Sequence, residues 1–125
     1  MQHDLAEVLD HLSKDRRFFN GFEDNLLTRT EWSYVLGIDR TTLWRWEKDI
    51  IYKVAPIKTA YLSTDRGART HYLDAYQRFL LTCIFIFKGY VAQGMKTNKQ
   101  AITFLKINFN QLKREQFEAW RKDYV

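Results

Sequence analysis

Signals for two helix starts and one helix stop fall within twelve residues of this chain. Thr28 and Glu31 have the spacing of a capping box, in which both side chains accept hydrogen bonds from free backbone N–H groups at a helix start. Gly37 can adopt the positive φ that ends a helix abruptly, and Asp39 is a residue type that caps the next helix. The sequence therefore predicts a short helix, a tight turn and a second helix from Arg40.

The apolar residues of this segment lie where two packed helices need them. A period of 3.6 residues turns Leu43, Trp46 and Ile50 of the second helix to one side. The residues expected to face inward from the first helix and the turn are Trp32, Ser33, Leu36 and Ile38. Ser33 is small at the point where the two helices must approach closely. We therefore expect a helix-turn-helix.

The opposite face of the second helix is basic. Arginines there can donate paired hydrogen bonds to guanine O6 and N7, and threonine or lysine can contact phosphate. An exposed Trp44 loses the benefit of burial unless it covers something, such as a sugar or a base methyl group. A helical hairpin in an all-α core, with solvated arginines, is the alternative interpretation. The residues that we predict to contact double-stranded DNA from this segment are Thr28, Arg29, Arg40, Thr41, Thr42, Trp44, Arg45 and Lys48.

The charge balance of the whole chain favours an anionic partner. Twenty Lys and Arg against fifteen Asp and Glu give a formal charge of +5 and a pI near 9.4. Nucleic acid and an anionic membrane surface both suit this balance. Charge alone is weak evidence, because many basic proteins bind neither.

Several function classes find no support in the sequence. Cys83 is the only cysteine, so one chain forms neither an internal disulfide nor a thiolate metal cluster. His3 and His11 lack the spacing of a helical metal-binding pair, and no catalytic motif is present. The apolar run 79–87 is too short to cross a bilayer and should be buried core. With acids near the N-terminus that oppose a secretory signal, we expect a cytoplasmic protein without enzymatic activity, cofactor, metal or membrane partner.

Helical patterns continue on both sides of the central segment. A stripe of leucine and valine predicts an amphipathic helix over 3–14, followed by a connector. Residues 74–93 predict a long buried helix that ends at Gly94. A second capping-box pattern at 97–100 starts another helix, and the asparagines at 108–110 mark a break before a last helix.

The segment between residues 50 and 71 has poor helical periodicity. Pro56 is unfavourable in a helix interior because it lacks a backbone N–H group. The residues with strand-like character are Tyr52, Val54, Ile57, Tyr61 and Leu62. We therefore predict a small β-hairpin, or wing, that turns near Ser63 to Ala68.

The hexapeptide Thr42–Glu47 resembles the threonine, aliphatic, arginine, aromatic, aromatic, acid signature that closes the recognition helix in the MerR superfamily of winged-helix regulators. The resemblance covers roughly residues 27–107. It implies a winged helix-turn-helix whose wing contacts DNA phosphates. The basic positions that match the family's wing are Arg66, Arg69 and His71.

The order of elements after the hexapeptide is similar to that of the family. A basic residue comes shortly before Tyr72, a helix starts at about Asp74, and a second helix opens after Gly94 and Met95. The chain departs from the family at Asp49–Ile51, where a glycine is usual, and in a longer wing region and a longer N-terminal extension. We expect no ligand-binding domain after these elements, so the resemblance favours a compact repressor without a small-molecule effector. Such repressors occur in phages and mobile elements, including CRISPR-associated transposons.

These patterns together predict a mainly α fold with a small β-hairpin wing and additional N- and C-terminal helices. We divide the chain into an N-terminal helix and connector (1–25), a winged helix-turn-helix domain (26–107) and a C-terminal helix (108–125). The predicted function is that of a sequence-specific DNA-binding transcriptional regulator, a repressor acting as a homodimer on an inverted repeat. A protein-interaction adaptor or anti-repressor is the alternative.

Two apolar stripes could form the contact between protomers. The stripe assigned to dimerisation is Ile102, Leu105, Phe109 and Leu112. The stripe that could assist it is Leu5, Val8, Leu9 and Leu12. Either stripe could instead belong to the core of a single chain.

Overall fold

The computed structural model describes residues 3–19, 22–63, 71–89 and 95–124. The protein is mainly helical and contains a two-stranded antiparallel sheet. The elements are α1 (His3–Lys14), α2 (Arg16–Phe19), β1 (Leu27–Thr28), α3 (Arg29–Leu36), α4 (Arg40–Asp49), a 3₁₀ helix (Ile51–Lys53), α5 (Ala55–Leu62), β2 (Tyr72–Leu73), α6 (Ala75–Phe87), α7 (Asn98–Asn108), a second 3₁₀ helix (Phe109–Gln111) and α8 (Arg114–Tyr124).

Helix α6 forms the centre of the protein. Every residue from Ala75 to Phe87 is buried, which confirms that the apolar run belongs to the core. Asp74 and Gln77 form a capping box that starts the helix. The predicted end at Gly94 is wrong, because α6 ends at Phe87 and a positive φ of 98° at Gly89 turns the chain away. No helix among the described residues has the length and apolar character needed to cross a membrane.

The helices at both ends of the chain pack onto α6. Helix α1 contacts α6 and α7 through its apolar stripe, and α8 contacts α6. The ring centroids of Phe79 on α6 and Phe117 on α8 are 4.7 Å apart, and that of Trp120 lies 5.3 Å from Phe79. Residues from the N-terminal, central and C-terminal segments therefore share one hydrophobic core.

The prediction that residues 50–62 form strands is wrong. The chain there makes the 3₁₀ helix Ile51–Lys53 and then α5. Spacings of three and four place Val54, Ile57 and Tyr61 on one buried face, and Pro56 is tolerated because it lies in the first turn. Most of the predicted hairpin turn, 64–68, lies outside the described residues.

The small sheet joins strands that flank α3, α4 and α5. Strand β1 pairs antiparallel with β2, with Leu27 opposite Leu73 and Thr28 opposite Tyr72. Strand β1 runs directly into α3, so the pairing fixes the start of this helix next to the segment that leads into α6.

The predicted dimer contact is corrected by burial inside one chain. Leu105 and Leu112 are fully buried in the core of the monomer, and Ile102 and Phe109 are half-buried and pack against that core. Leu105 and Leu112 therefore cannot face a second protomer without opening the fold. The stripe on α1 is likewise intrachain core.

A candidate nucleic-acid interface

A complete capping box starts α3. The backbone N–H of Glu31 donates to the hydroxyl oxygen of Thr28 at 3.1 Å, and the backbone N–H of Thr28 donates to a Glu31 carboxylate oxygen at 2.8 Å. This confirms the prediction from the sequence. The bond from the Thr28 backbone N–H lowers the pKa of the Glu31 carboxyl below its ordinary value.

The turn after α3 has the geometry that its glycine predicts. Gly37 has φ 74° and ψ 31°, its N–H donates to the Tyr34 carbonyl oxygen, and the N–H of Ile38 donates to the Ser33 carbonyl oxygen at 3.0 Å. These two bonds form a Schellman motif, which satisfies carbonyl groups at the helix end. The turn thereby sets where α4 can start.

Asp39 occupies the N-cap position of α4, as predicted, but its side chain makes no capping hydrogen bond. Its backbone carbonyl oxygen accepts the first hydrogen bonds of the helix, from the N–H groups of Thr42 and Leu43. The start of α4 is therefore fixed by the turn and by packing rather than by a carboxylate cap.

Helices α3 and α4 bury the faces that the sequence predicts. Trp32, Leu36, Leu43, Trp46 and Ile50 all lie in the core, and the small Ser33 is buried. The indole N–H of Trp32 also donates to the hydroxyl oxygen of Thr82 on α6, at 3.2 Å. One polar bond therefore fixes α3 against the central helix.

The outer face of α4 lies in solvent and is basic. Arg40, Thr41, Arg45 and Lys48 are exposed, and Thr42 is half-buried. Trp44 is 50% exposed. The ammonium nitrogen of Lys48 lies 4.2 Å from the centroid of the Trp44 ring, a cation–π contact that covers part of the ring.

A groove of about 780 Å³ runs along this face. The residues that line it are Thr28, Arg29, Thr30, Arg40, Thr41, Trp44, Glu47, Lys48, Tyr52 and His71. It thus brings together most of the residues predicted to contact DNA, including the exposed His71 directly before β2. Thr42 and Arg45 are outside the lining, and Arg66 and Arg69 lie outside the described residues.

A buried ionic network holds α3, α4 and α5 together beneath the groove. Glu47 is only 2% exposed, and its two carboxylate oxygens accept from Arg29 Nε at 2.6 Å and Arg29 Nη2 at 2.8 Å. The Tyr61 hydroxyl donates to the same carboxylate at 2.5 Å. Bonding to Glu47 raises the pKa of Arg29, and burial raises the pKa of Tyr61 well above its ordinary value. Arg29 is therefore held by Glu47, with only part of its side chain exposed to the groove.

A fully buried arginine, Arg78, positions the segment that enters β1. The guanidinium of Arg78 on α6 donates to the carbonyl oxygens of Glu23, Asn25 and Leu73, at 2.8 to 2.9 Å. Burial lowers the pKa of Arg78 to about 10. These bonds connect α6 with the segment before β1 and with β2 itself, so they set the place from which α3 begins.

Neither network was predicted from the sequence. Arg29 and Glu47 are eighteen residues apart, and Arg78 looks like an ordinary end of an apolar run. The local signal for the first network is a single acid, Glu47, between basic residues of the same helix.

The described residues contain no group of three or more His, Cys, Asp or Glu side chains placed to hold a metal ion. Comparison of the chain with protein-family models, with curated proteins and with solved structures finds no match in any of the three. Evidence for function therefore comes from the groove and from the exposed face of α4.

Proposed function

We propose that the protein is a sequence-specific regulator of transcription that inserts α4 into the major groove of double-stranded DNA. The observation that carries this proposal is the division of α4 into two faces. Leu43, Trp46 and Ile50 hold the helix against the core, while Arg40 and Arg45 are exposed. A recognition helix needs this division, because one face must be rigidly packed while the other reads base edges.

The charge of the groove supports an anionic ligand. Glu47 is the only acid between Arg40 and Lys48, and although it lines the groove it is only 2% exposed and its charge is balanced by Arg29. The outer face from Arg40 to Lys48 therefore presents no carboxylate to a phosphate backbone. The acids Asp39 and Asp49 flank the helix at its two ends.

The exposed side chains have the chemistry for two kinds of DNA contact. Arg40 and Arg45 can donate paired hydrogen bonds to guanine, while Lys48 supplies a point charge for phosphate. The exposed part of Trp44 offers an apolar surface to a sugar or a thymine methyl group. This combination can both position the protein and discriminate between bases.

The winged form of the helix-turn-helix, the repressor role and the homodimer are further parts of the proposal. The β1–β2 pair and His71 lie beside α4, where a wing would flank the major groove.

A single recognition helix covers few base pairs, so binding to an inverted repeat by a two-fold dimer would double the site. The contact between the two protomers must use surfaces that do not include Leu105 and Leu112, which are buried in each chain. The dimer would be contradicted if sedimentation showed only a 15 kDa protein species, both free in solution and bound to DNA.

The test of DNA binding has two steps. Random-sequence duplex should bind at low salt and dissociate as salt rises, and selection from a randomised duplex library should enrich a defined motif. Arg45→Ala should then cost about 1 to 3 kcal/mol of discrimination at one position of each half-site. Lys122→Ala is the matched control, because it removes one exposed positive charge from α8. Absence of duplex binding by the folded wild-type protein would reject the proposal in favour of an interaction adaptor.

A further inference from the structure

Acidic residues are unevenly distributed along the chain. Residues 75–114 contain seven Lys and Arg but no Asp or Glu, although the remainder of the chain has more acids than bases. This stretch includes α6, which is buried, and α7, whose outer side is exposed. Lys99 and Lys106 are seven residues apart, so they lie on the same exposed side of α7.

A second groove, of about 300 Å³, lies beside this side of α7. Its floor includes the stacked rings of Phe87 and Phe104, whose centroids are 4.4 Å apart. Its rim includes Lys96, Lys99 and Ile107. The groove therefore combines an apolar floor with a cationic rim.

The rim is largely open to solvent, with Lys99 exposed and Lys96 half-buried. Among the described residues, no carboxylate forms an ion pair with Lys96, Lys99 or Lys106, and the ammonium of Lys96 lies 5.4 Å from the centroid of the Phe87 ring. Ile107 is 47% exposed and Met95, next to the rim in sequence, is 65% exposed. Large apolar side chains at a cationic rim are features of a surface that contacts a partner.

We propose that this groove, which we name the α7 groove, docks a protein segment in which acidic residues flank a bulky apolar side chain. The apolar side chain would cover Ile107 and the ring floor, and the acids would pair with Lys96 and Lys99. Nucleic acid fits less well, because a phosphate backbone satisfies the lysines but leaves Ile107 without an apolar contact. The inference does not depend on DNA binding by α4.

The test uses a library of random twelve-residue peptides displayed on phage and selected on the immobilised full-length protein. Enriched peptides should carry several Asp or Glu around a large apolar residue. Fluorescence anisotropy of the synthetic peptides should show affinity reduced about tenfold by Ile107→Asp and by Lys99→Glu. Lys122→Glu on α8 reverses a charge away from the groove and should leave affinity unchanged. Both groove positions are exposed, and circular dichroism checks that each variant stays folded.

Four results would overturn the proposal. One is a library without enrichment over an unrelated immobilised protein, and another is enrichment of peptides without excess acid. The third is peptide affinity that Ile107→Asp leaves unchanged. The fourth is Lys99→Glu weakening the binding of duplex DNA but not of peptide, which would assign the face to the phosphate backbone. Loss of DNA binding at α4 has no bearing on these results, so the two proposals fail separately.

Discussion

Replacement of Glu47 by glutamine tests the buried network beneath the groove. Glutamine has nearly the same shape as glutamate, so the change removes the charge without leaving a cavity. Arg29 would then direct its Nε and Nη2 donors at a neutral amide, one end of which is itself a donor. The Tyr61 hydroxyl could still donate to the amide oxygen. The substitution therefore isolates the contribution of the ion pair.

The expected loss of stability depends on how deeply each partner of the ion pair, Glu47 and Arg29, is buried. Removing one partner of a buried ion pair costs about 3 to 5 kcal/mol, and hydrogen bonds to charged groups contribute about 1.5 to 3 kcal/mol. The Glu47 side chain is 2% exposed, whereas that of Arg29 is 20% exposed and can recruit water. We therefore expect a loss of about 2 to 3 kcal/mol in the free energy of unfolding. For a domain of this size that corresponds to a fall in Tm of about 10 °C.

Urea and thermal denaturation followed by circular dichroism measure this loss. Glu115→Gln is the matched control on exposed α8 and should change stability by less than about 0.5 kcal/mol. The double variant with Arg29→Gln should be less destabilised than the sum of the single variants, because each single change already breaks the pair. If Glu47→Gln and Glu115→Gln had equal stability, the network would not fix α4, and our account of its position would be refuted.

Three further outcomes follow from the same geometry. In Gly37→Ala the added Cβ would contact no neighbouring atom, but alanine would be held at φ 74°. The free energy of unfolding from urea titrations should therefore fall by about 1 kcal/mol, with no loss of base discrimination. The pKa of Glu31 is lower in the folded protein than in the unfolded chain, so the Glu31 carboxylate stabilises the fold at pH values above its ordinary pKa. This stabilisation is lost as the pH falls through the folded-state pKa. Glu31→Gln should therefore flatten the acid side of a curve of unfolding free energy against pH. Lys48→Ala should weaken operator and random duplex alike and reduce the slope of log affinity against log salt by about one unit for each protomer of the dimer, whereas an unchanged slope would show that Lys48 does not contact phosphate.

Local patterns in the sequence predicted the helix starts and the turn correctly. The capping boxes at Thr28 and Thr97 depend on residues three positions apart, and the stop at Gly37 depends on one residue. Their energetics are fixed within a single helical turn, so no knowledge of the remaining fold is needed. The inward residues of α3 and α4 followed from the same helical period.

Features that depend on the environment of a segment could not be predicted correctly from the sequence. The β-branched and aromatic residues around Val54 and Tyr61 favour strands intrinsically, but packing of their shared face against the core makes α5 helical. The stripe containing Leu105 could not be assigned, because a dimer contact and an intrachain core need the same apolar periodicity. The pairing of Arg29 with Glu47 exists only after α3 and α4 are brought together.

The direction of α4 depends on polar bonds as well as on apolar burial. Burial of Leu43 and Trp46 is favourable over a range of helix rotations, because the hydrophobic effect is not directional. The bonds from Trp32 to Thr82 and from Arg29 to Glu47 are satisfied only in a narrow range of distances and angles. On the proposed function, changes to these buried groups should therefore reduce both stability and base discrimination. Changes to exposed Arg45 should reduce discrimination alone, and that contrast separates the groups that aim the helix from those that read the DNA.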